Sequence, residues 1–254
     1  MINLLHGDCL DLMGDIPDGS VDMVMADPPY GTTACKWDSV IPLEPMWKQL
    51  KRVIKKNGAI VLFGSEPFSS ALRMSNIKNY KYDWVWEKTK AGNIALANKM
   101  PLKYHEVISV FYAQQTTYNK QMIPRAEIGK DRLRAGNKPI RLTGTAITNS
   151  KGFIRSYDVN RYDVDWKNPS SILKYKVVRG GKHPTQKPVA LMEYLIKTYT
   201  NEGETVLDFC IGSGTTAVAC EHLKRRWIGI EIEEKYCEIS AKRIEKERSQ
   251  LKLW

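Results

Sequence analysis

The sequence predicts an α/β fold, a mostly parallel sheet with helices on both faces. Three observations lead to it. Val21–Ala26 and Ala59–Phe63 are short, almost wholly apolar runs, the pattern of strands buried on both faces. Segments of helical period alternate with such runs at both ends of the chain. Gly212-Ser213-Gly214 stands between one strand-like run and a helix start, where open α/β sheets bind ligands.

In chain order, Ile2–His6 reads as a short strand that Gly7-Asp8 ends. Leu10, Leu12, Met13 and Ile16 fit a short helix before the Pro17-Asp18-Gly19 turn. The strand Val21–Ala26 leads into Asp27-Pro28-Pro29-Tyr30, and the polar Gly31–Ser39 reads as a mobile loop beside it. Met46, Trp47, Leu50, Val53 and Ile54 predict a helix over 45–54, closed by Asn57-Gly58. Strand Ala59–Phe63 follows, then a helix from Ser69 to Met74, then strands Tyr82–Trp86 and Val107–Tyr112. Residues 129–181 have weak periodicity and read as an insertion. Regular order resumes with a helix over 188–199 and a strand Thr205–Phe209. A helix then runs from the glycine turn through Leu223, followed by strand Arg226–Ile230 and a charged helix from Glu234 to about Leu251. No internal repeat is visible.

The 254 residues suffice for one large α/β domain with an insertion. With 43% hydrophobic and 26% charged residues, and no apolar run of membrane length, the chain reads as globular. The first residues lack a basic start and an apolar signal core, so a cytoplasmic location and no membrane are expected. The five cysteines, Cys9, Cys35, Cys210, Cys220 and Cys237, show no paired ligand spacing, so no metal is expected and the thiols read as reduced. The net charge is +11, and residues 120–182 hold 15 Lys/Arg against 5 Asp/Glu. Almost the whole excess therefore sits in one quarter of the chain, interleaved with Phe153, Tyr157, Tyr162, Trp166 and Tyr175. That pattern favours contact with a nucleic acid over a merely solvated loop.

Two motifs carry chemistry. Two prolines cannot continue a ladder, so the chain must leave the sheet at Asp27-Pro28-Pro29-Tyr30 in a stiff elbow. The elbow offers a carboxylate, carbonyls without local N–H partners and one aromatic ring. That set suits a planar ring with an exocyclic amine: Asp27 and a carbonyl accept the two N–H bonds while Tyr30 stacks. At the other end of the chain, Asp208-Phe209-Cys210-Ile211-Gly212-Ser213-Gly214-Thr215-Thr216 is strand end, glycine turn and helix start. Its N–H groups attract a carboxylate or other anion, and Glu231, ending the next strand, can hold two ribose hydroxyls. Ala217 stands where a dinucleotide site would place its third glycine, which steers the reading towards a different adenosine-bearing cofactor.

Taken in order, Asp27-Pro28-Pro29-Tyr30, the basic insertion, Lys182-His183-Pro184-Thr185-Gln186-Lys187-Pro188 and Asp208 to Thr216 resemble the β-class S-adenosylmethionine-dependent DNA amino-methyltransferases. The resemblance covers the chain outside the insertion. It implies a circularly permuted, Rossmann-like methyltransferase fold with a seven-stranded sheet, divided into a catalytic half at 1–119, a target-recognition insertion at 120–181 and a cofactor half at 182–254. It implies S-adenosylmethionine as cofactor, double-stranded DNA as partner and methyl transfer to a flipped-out base. Members of the family often form dimers, which leaves a homodimer open. The Asp-Pro-Pro-Tyr form resembles the adenine-N6 type; cytosine N4, an RNA base or an inactive nucleic-acid-binding relative are the alternatives.

By the same resemblance Asp27, Pro28, Pro29 and Tyr30 are the catalytic group. Cofactor contacts are expected from Asp8, Cys9 and Asp27, from Thr185 and Lys187, from Asp208 through Cys210, from Gly212 through Thr216, and from Glu231 and Ile232. Asp8 reads equally as a helix N-cap, and Thr185 as part of a loop that caps the next helix. The family's aromatic usually stands two residues before the first glycine; Cys210 occupies that position here, and Phe209 precedes it.

Overall fold

The two strands read as doubly buried, Val21–Ala26 and Ala59–Phe63, stand near the centre of one eight-stranded sheet. A computed structural model describes residues 4–32, 38–127, 130–131, 163–178, 180–181 and 185–251. In chain order the sheet strands are β1 (Leu4–His6), β2 (Val21–Ala26), β3 (Ile54–Gly64), β4 (Tyr80–Lys88) and β5 (His105–Phe111), and, later in the chain, β8 (Ile172–Tyr175), β9 (Thr205–Asp208) and β10 (Arg226–Glu231). Their spatial order is β1-β10-β9-β2-β3-β5-β4-β8. Neighbours pair in parallel except β5, which runs antiparallel to both β3 and β4.

Helices cover both faces, and the period-2 alternation along the central strands assigns each side chain to one of them. Val24, Ala26, Ile60 and Leu62 pack with Met46, Trp47, Leu50 and Val53 of α2 (Leu43–Val53) and with Phe68 and Leu72 of α3 (Phe68–Ser75). Met23, Met25, Ala59, Val61 and Phe63 point the other way. They join Leu191, Leu195 and Tyr199 of α4 (Val189–Tyr199), Ala217 and Val218 of α5 (Thr215–His222), and Ile244 of α6 (Glu234–Leu251). The short α1 (Cys9–Leu12) follows β1 and runs into a 3-10 turn at Met13–Asp15.

The chain leaves β2 towards β3 but leaves β9 towards β10, and β2 and β9 are neighbours. The winding therefore reverses between them, and the crevice beyond their carboxyl ends is where such sheets bind ligands. Asp27 follows β2 and Asp208 ends β9, so the two sequence motifs meet there although 180 residues separate them.

The structure corrects the sequence reading at several elements. The helix expected over 45–54 spans Leu43–Val53, and Ile54 already pairs with Val21 as the first residue of β3. Asn57-Gly58 therefore lies inside a strand whose register slips between its pairings with Val21 and Met23. A Cβ on Gly58 would stand 2.7 Å from the Asp22 carbonyl oxygen, so close backbone approach, not helix termination, explains this glycine. Among the described residues the sheet has eight strands rather than seven. The added strand, β8, comes from the stretch read as insertion; it pairs in parallel with β4 and buries Leu173. Four residues, one of them Lys174, are too short to show a period.

The chain divides into two compact units, residues 1–119 with 171–254, and residues 120–170. In the second, β6 (Ile123–Pro124) pairs antiparallel with β7 (Trp166–Lys167), and Lys130 bonds Glu127 at 2.8 Å. Phe153, Tyr157 and Tyr162, with most of the basic segment, lie outside the described residues, as do Ile2, Cys35 and Lys182-His183-Pro184. Among the described residues no helix is long and apolar enough to cross a membrane, and no cluster of His, Cys, Asp or Glu is arranged to hold a metal.

Candidate active site

A cavity of about 470 Å³ opens at the crevice beyond β2 and β9. Its walls bring together Asp8 and Cys9 after β1, Asp27 through Tyr30 after β2, Thr185 and Lys187 before α4, and Glu231 and Ile232 at the end of β10. Asp208, Phe209, Cys210, Gly212, Ser213, Thr215 and Thr216 complete the floor. Gly214 lies outside the lining and has a different reason to be glycine. Its φ is +80°, and a Cβ would stand 2.8 Å from Ser240 Oγ and 3.3 Å from Ser240 Cα on α6.

The glycine turn is fastened on three sides. Glu231 accepts the N–H of Gly212 at 2.8 Å and that of Glu233 at 2.9 Å. Asp208 accepts the Thr216 hydroxyl and the N–H of Cys210. Arg243 of α6 donates to the Ser213 carbonyl and to Thr215 Oγ1, both at 3.0 Å. Burial pushes the Asp208 carboxyl up to about 7, against the pull of its Thr216 and Cys210 bonds. Burial likewise raises Glu231. Helix α5 has Gly214 as its N-cap and no side-chain cap, so its positive end is open to an anion. Asp8 is the N-cap of α1, accepting the N–H of Leu10 at 2.7 Å, and it also lines the cavity; the two readings of this residue are compatible. The Cys9 and Cys210 thiols interact, which draws Cys9 down and pushes Cys210 up. Ile232, an apolar side chain left 57% exposed, stands at the lip.

At the elbow the Tyr30 hydroxyl donates to Asp27 Oδ1 and the Lys187 ammonium donates to Asp27 Oδ2. The Tyr30 ring stacks on Phe68, centroids 5.3 Å apart. Burial raises Asp27, the charge of Lys187 opposes the shift, and Glu106 adds to it. Burial and the Asp27 charge together raise the Tyr30 hydroxyl well above its ordinary value, so it is a donor.

Several residues of this site were missed in the sequence. Asp38 accepts the backbone N–H of Tyr30, Gly31 and Thr32 at 2.8, 2.9 and 2.9 Å. The stretch read as a free loop is thus tied down at the elbow; residues 33–37 lie outside the described residues. Glu106, the second residue of β5, joins the cavity wall, as do Glu233 and Tyr236. Asp38 follows a Pro-Pro elbow by too many residues to be read as its cap. Glu106 sits in no motif.

Comparison with known proteins bears on this geometry. The family model described as DNA methylase, which embraces N6 and N4 methylases, matches residues 21–242. Type II methyltransferase M2.DpnII of Streptococcus pneumoniae is 28% identical, the match covering 96% of this chain and 90% of that one. DNA adenine methyltransferase YhdJ of Escherichia coli is 28% identical over 95% of this chain and 82% of its own. Among solved structures, the M1.HpyAVI–SAM complex superposes with a TM-score of 0.62 at 26% identity, covering 96% of this chain and all of that one. The cytosine-N4-specific PvuII DNA methyltransferase superposes with a TM-score of 0.63 at 18% identity, covering 97% of this chain and 89% of that one, a likeness of fold. The match begins at the strand that leads into Asp27 and runs past the glycine turn and Glu231 into α6, and on that span the chain belongs to the N6/N4 DNA methylase family.

Proposed function

We propose that this protein transfers a methyl group from S-adenosylmethionine to the N6 amine of an adenine flipped out of double-stranded DNA, and that it works in the cytoplasm. One observation carries the reading: the Asp-Pro-Pro-Tyr elbow and the fastened glycine turn lie at neighbouring strand ends and share one cavity.

The donors present suit the cofactor. The uncapped start of α5 fits its carboxylate, and Glu231 keeps lone pairs for ribose hydroxyls beside its two backbone bonds. Ile232 offers apolar surface, and Asp8 a carboxylate, to an adenine ring. S-adenosylmethionine, when bound, supplies an electrophilic methyl group.

The elbow prepares the acceptor. A ring amine is a weak nucleophile because its lone pair is delocalised. Asp27 and the Pro28 carbonyl, accepting both N–H bonds, localise that pair and fix its direction. Tyr30, held on one face by Phe68, lends its ring to the base. Taking the base from the duplex costs a few kcal/mol of unstacking, and stacking on an aromatic side chain returns about 1–3 kcal/mol.

The test is to incubate the protein with unmethylated duplex DNA and labelled S-adenosylmethionine, digest to nucleosides and identify the labelled one. N6-methyladenine is expected. Labelled N4-methylcytosine would overturn the base assignment, and unlabelled DNA would overturn the substrate.

A further inference from the structure

Each Asp27 carboxylate oxygen already accepts one donor, and the charged ammonium among them competes with an incoming amine. Lys187 holds Oδ2 and Tyr30 holds Oδ1, yet the target amine must find an acceptor there. The way out lies beside it. Glu106 Oε1 accepts Lys88 at 2.8 Å, while Glu106 Oε2 is buried without a hydrogen bond and lies 3.4 Å from Lys187 Nζ. One buried ammonium thus stands between two carboxylates, fully bonded to one and just short of the other.

Resting on the methyltransferase reading above, we propose that Glu106 is a positioning residue: it draws the Lys187 ammonium off Asp27 as the target amine arrives, freeing the carboxylate for the base. The ammonium never loses a counter-charge in this exchange. It moves from one acceptor to a second already within ion-pair reach, and the long 3.4 Å contact at Oε2 tightens to the hydrogen bond a buried carboxylate oxygen requires. The ammonium also rests over the Phe63 ring, 5.0 Å from the centroid.

The electrostatics agree. Burial opposes charge on both Glu106 and Lys187. The Lys187 and Lys88 cations still hold Glu106 below its ordinary value, and Asp27 with Glu106 hold Lys187 above its own. Both groups are therefore charged when the exchange takes place. Without Glu106, Asp27 is the carboxylate left to the ammonium among the described residues, and the base has to compete with it.

The substitution Glu106→Gln tests this, since glutamine keeps an acceptor for Lys88 but cannot draw the ammonium. Two duplexes carrying a site the enzyme methylates are compared, one with the target base and one with an abasic position, in the absence of cofactor. The ratio of their dissociation constants reads base capture alone. In Glu106→Gln the ratio shifts against the base by about tenfold, as the capture-competent fraction falls. kcat falls alongside, while the dissociation constant of S-adenosylmethionine stays as in the wild type. Glu106→Asp restores part of the loss, and in a Lys187→Met background Glu106→Gln has no further effect. An unchanged ratio, a loss confined to cofactor binding, or an undiminished effect in the Lys187→Met background would overturn the proposal. A wild-type protein that methylates no DNA would instead remove the functional reading beneath it.

Discussion

Asp38 Oδ1 lies 2.8 Å from the backbone nitrogen of Tyr30, and the same carboxylate takes the N–H groups of Gly31 and Thr32. Three consecutive donors on one buried acid form a nest that fixes the direction in which the chain leaves the Pro-Pro elbow. Tyr30 then reaches Asp27 with its hydroxyl and Phe68 with its ring. Asp38 thus holds the backbone of Tyr30, Gly31 and Thr32, and it also lines the cavity.

Asp38→Ala should therefore lower kcat by about 100-fold through misplacement of Tyr30, with cofactor affinity retained. Rate measurements at saturating DNA, alongside cofactor titration, check it. Equal losses in both would mean that Asp38 shapes the whole cavity.

Gly214→Ala puts a side chain at φ +80° and drives its Cβ to 2.8 Å from Ser240 Oγ. The backbone penalty alone is about 1–2 kcal/mol, and the clash adds to it. Ser240→Gly removes the Oγ contact, along with the Ser240 bond to the Gly212 carbonyl, but not the left-handed strain, so Gly214→Ala should cost less melting temperature in a Ser240→Gly background than in the wild type. No cost of Gly214→Ala in that background would show that the clash, not the φ angle, dominates.

Asp208 gives a pH signature. Burial places its carboxyl at about 7 in the folded chain, against an ordinary 3.8. Between those values the unfolded chain has released the proton and the folded chain keeps it, so this group's contribution to stability falls as pH rises through the window and is level above it. Asp208→Asn lacks the slope. Its stability relative to wild type should improve from pH 4 to pH 7 by up to about 4 kcal/mol. Chemical denaturation across that range checks it, and a constant difference would contradict it.

The concentrated charge of residues 120–182, 15 cations against 5 acids, predicts steep salt dependence. If six phosphates are neutralised, DNA affinity should fall by about 10³-fold between 50 and 200 mM salt. A flat response would argue against a polyanionic substrate.

What could be read in the sequence follows from the reach of each signal. Val21–Ala26 came out with its observed bounds because an apolar run and two prolines mark both ends within ten residues. Five of the six buried positions of α4, Leu191, Met192, Leu195, Ile196 and Tyr199, follow from helical period alone; the sixth, Thr198, is polar and gave no signal. Asp27 and the glycine turn were legible as motifs, although their meeting depends on the pairing of β2 with β9. Glu106 and Asp38 were not legible. Glu106 acts through Lys187 and Lys88, brought to it by the tertiary fold, and Asp38 acts on backbone groups, which any sequence offers. Asp8 could not be decided because one carboxylate serves a helix cap and a cavity wall at once.

The central claim is a division of labour: Asp27 handles the acceptor amine, and the turn at Gly212 with Glu231 handles the cofactor. The most direct measurement is S-adenosylmethionine affinity by calorimetry beside the single-turnover methylation rate, for wild type and Asp27→Ala. The account predicts a rate lower by about 10²–10³-fold or more with cofactor affinity preserved. Loss of cofactor binding in Asp27→Ala, in step with the rate, would contradict it.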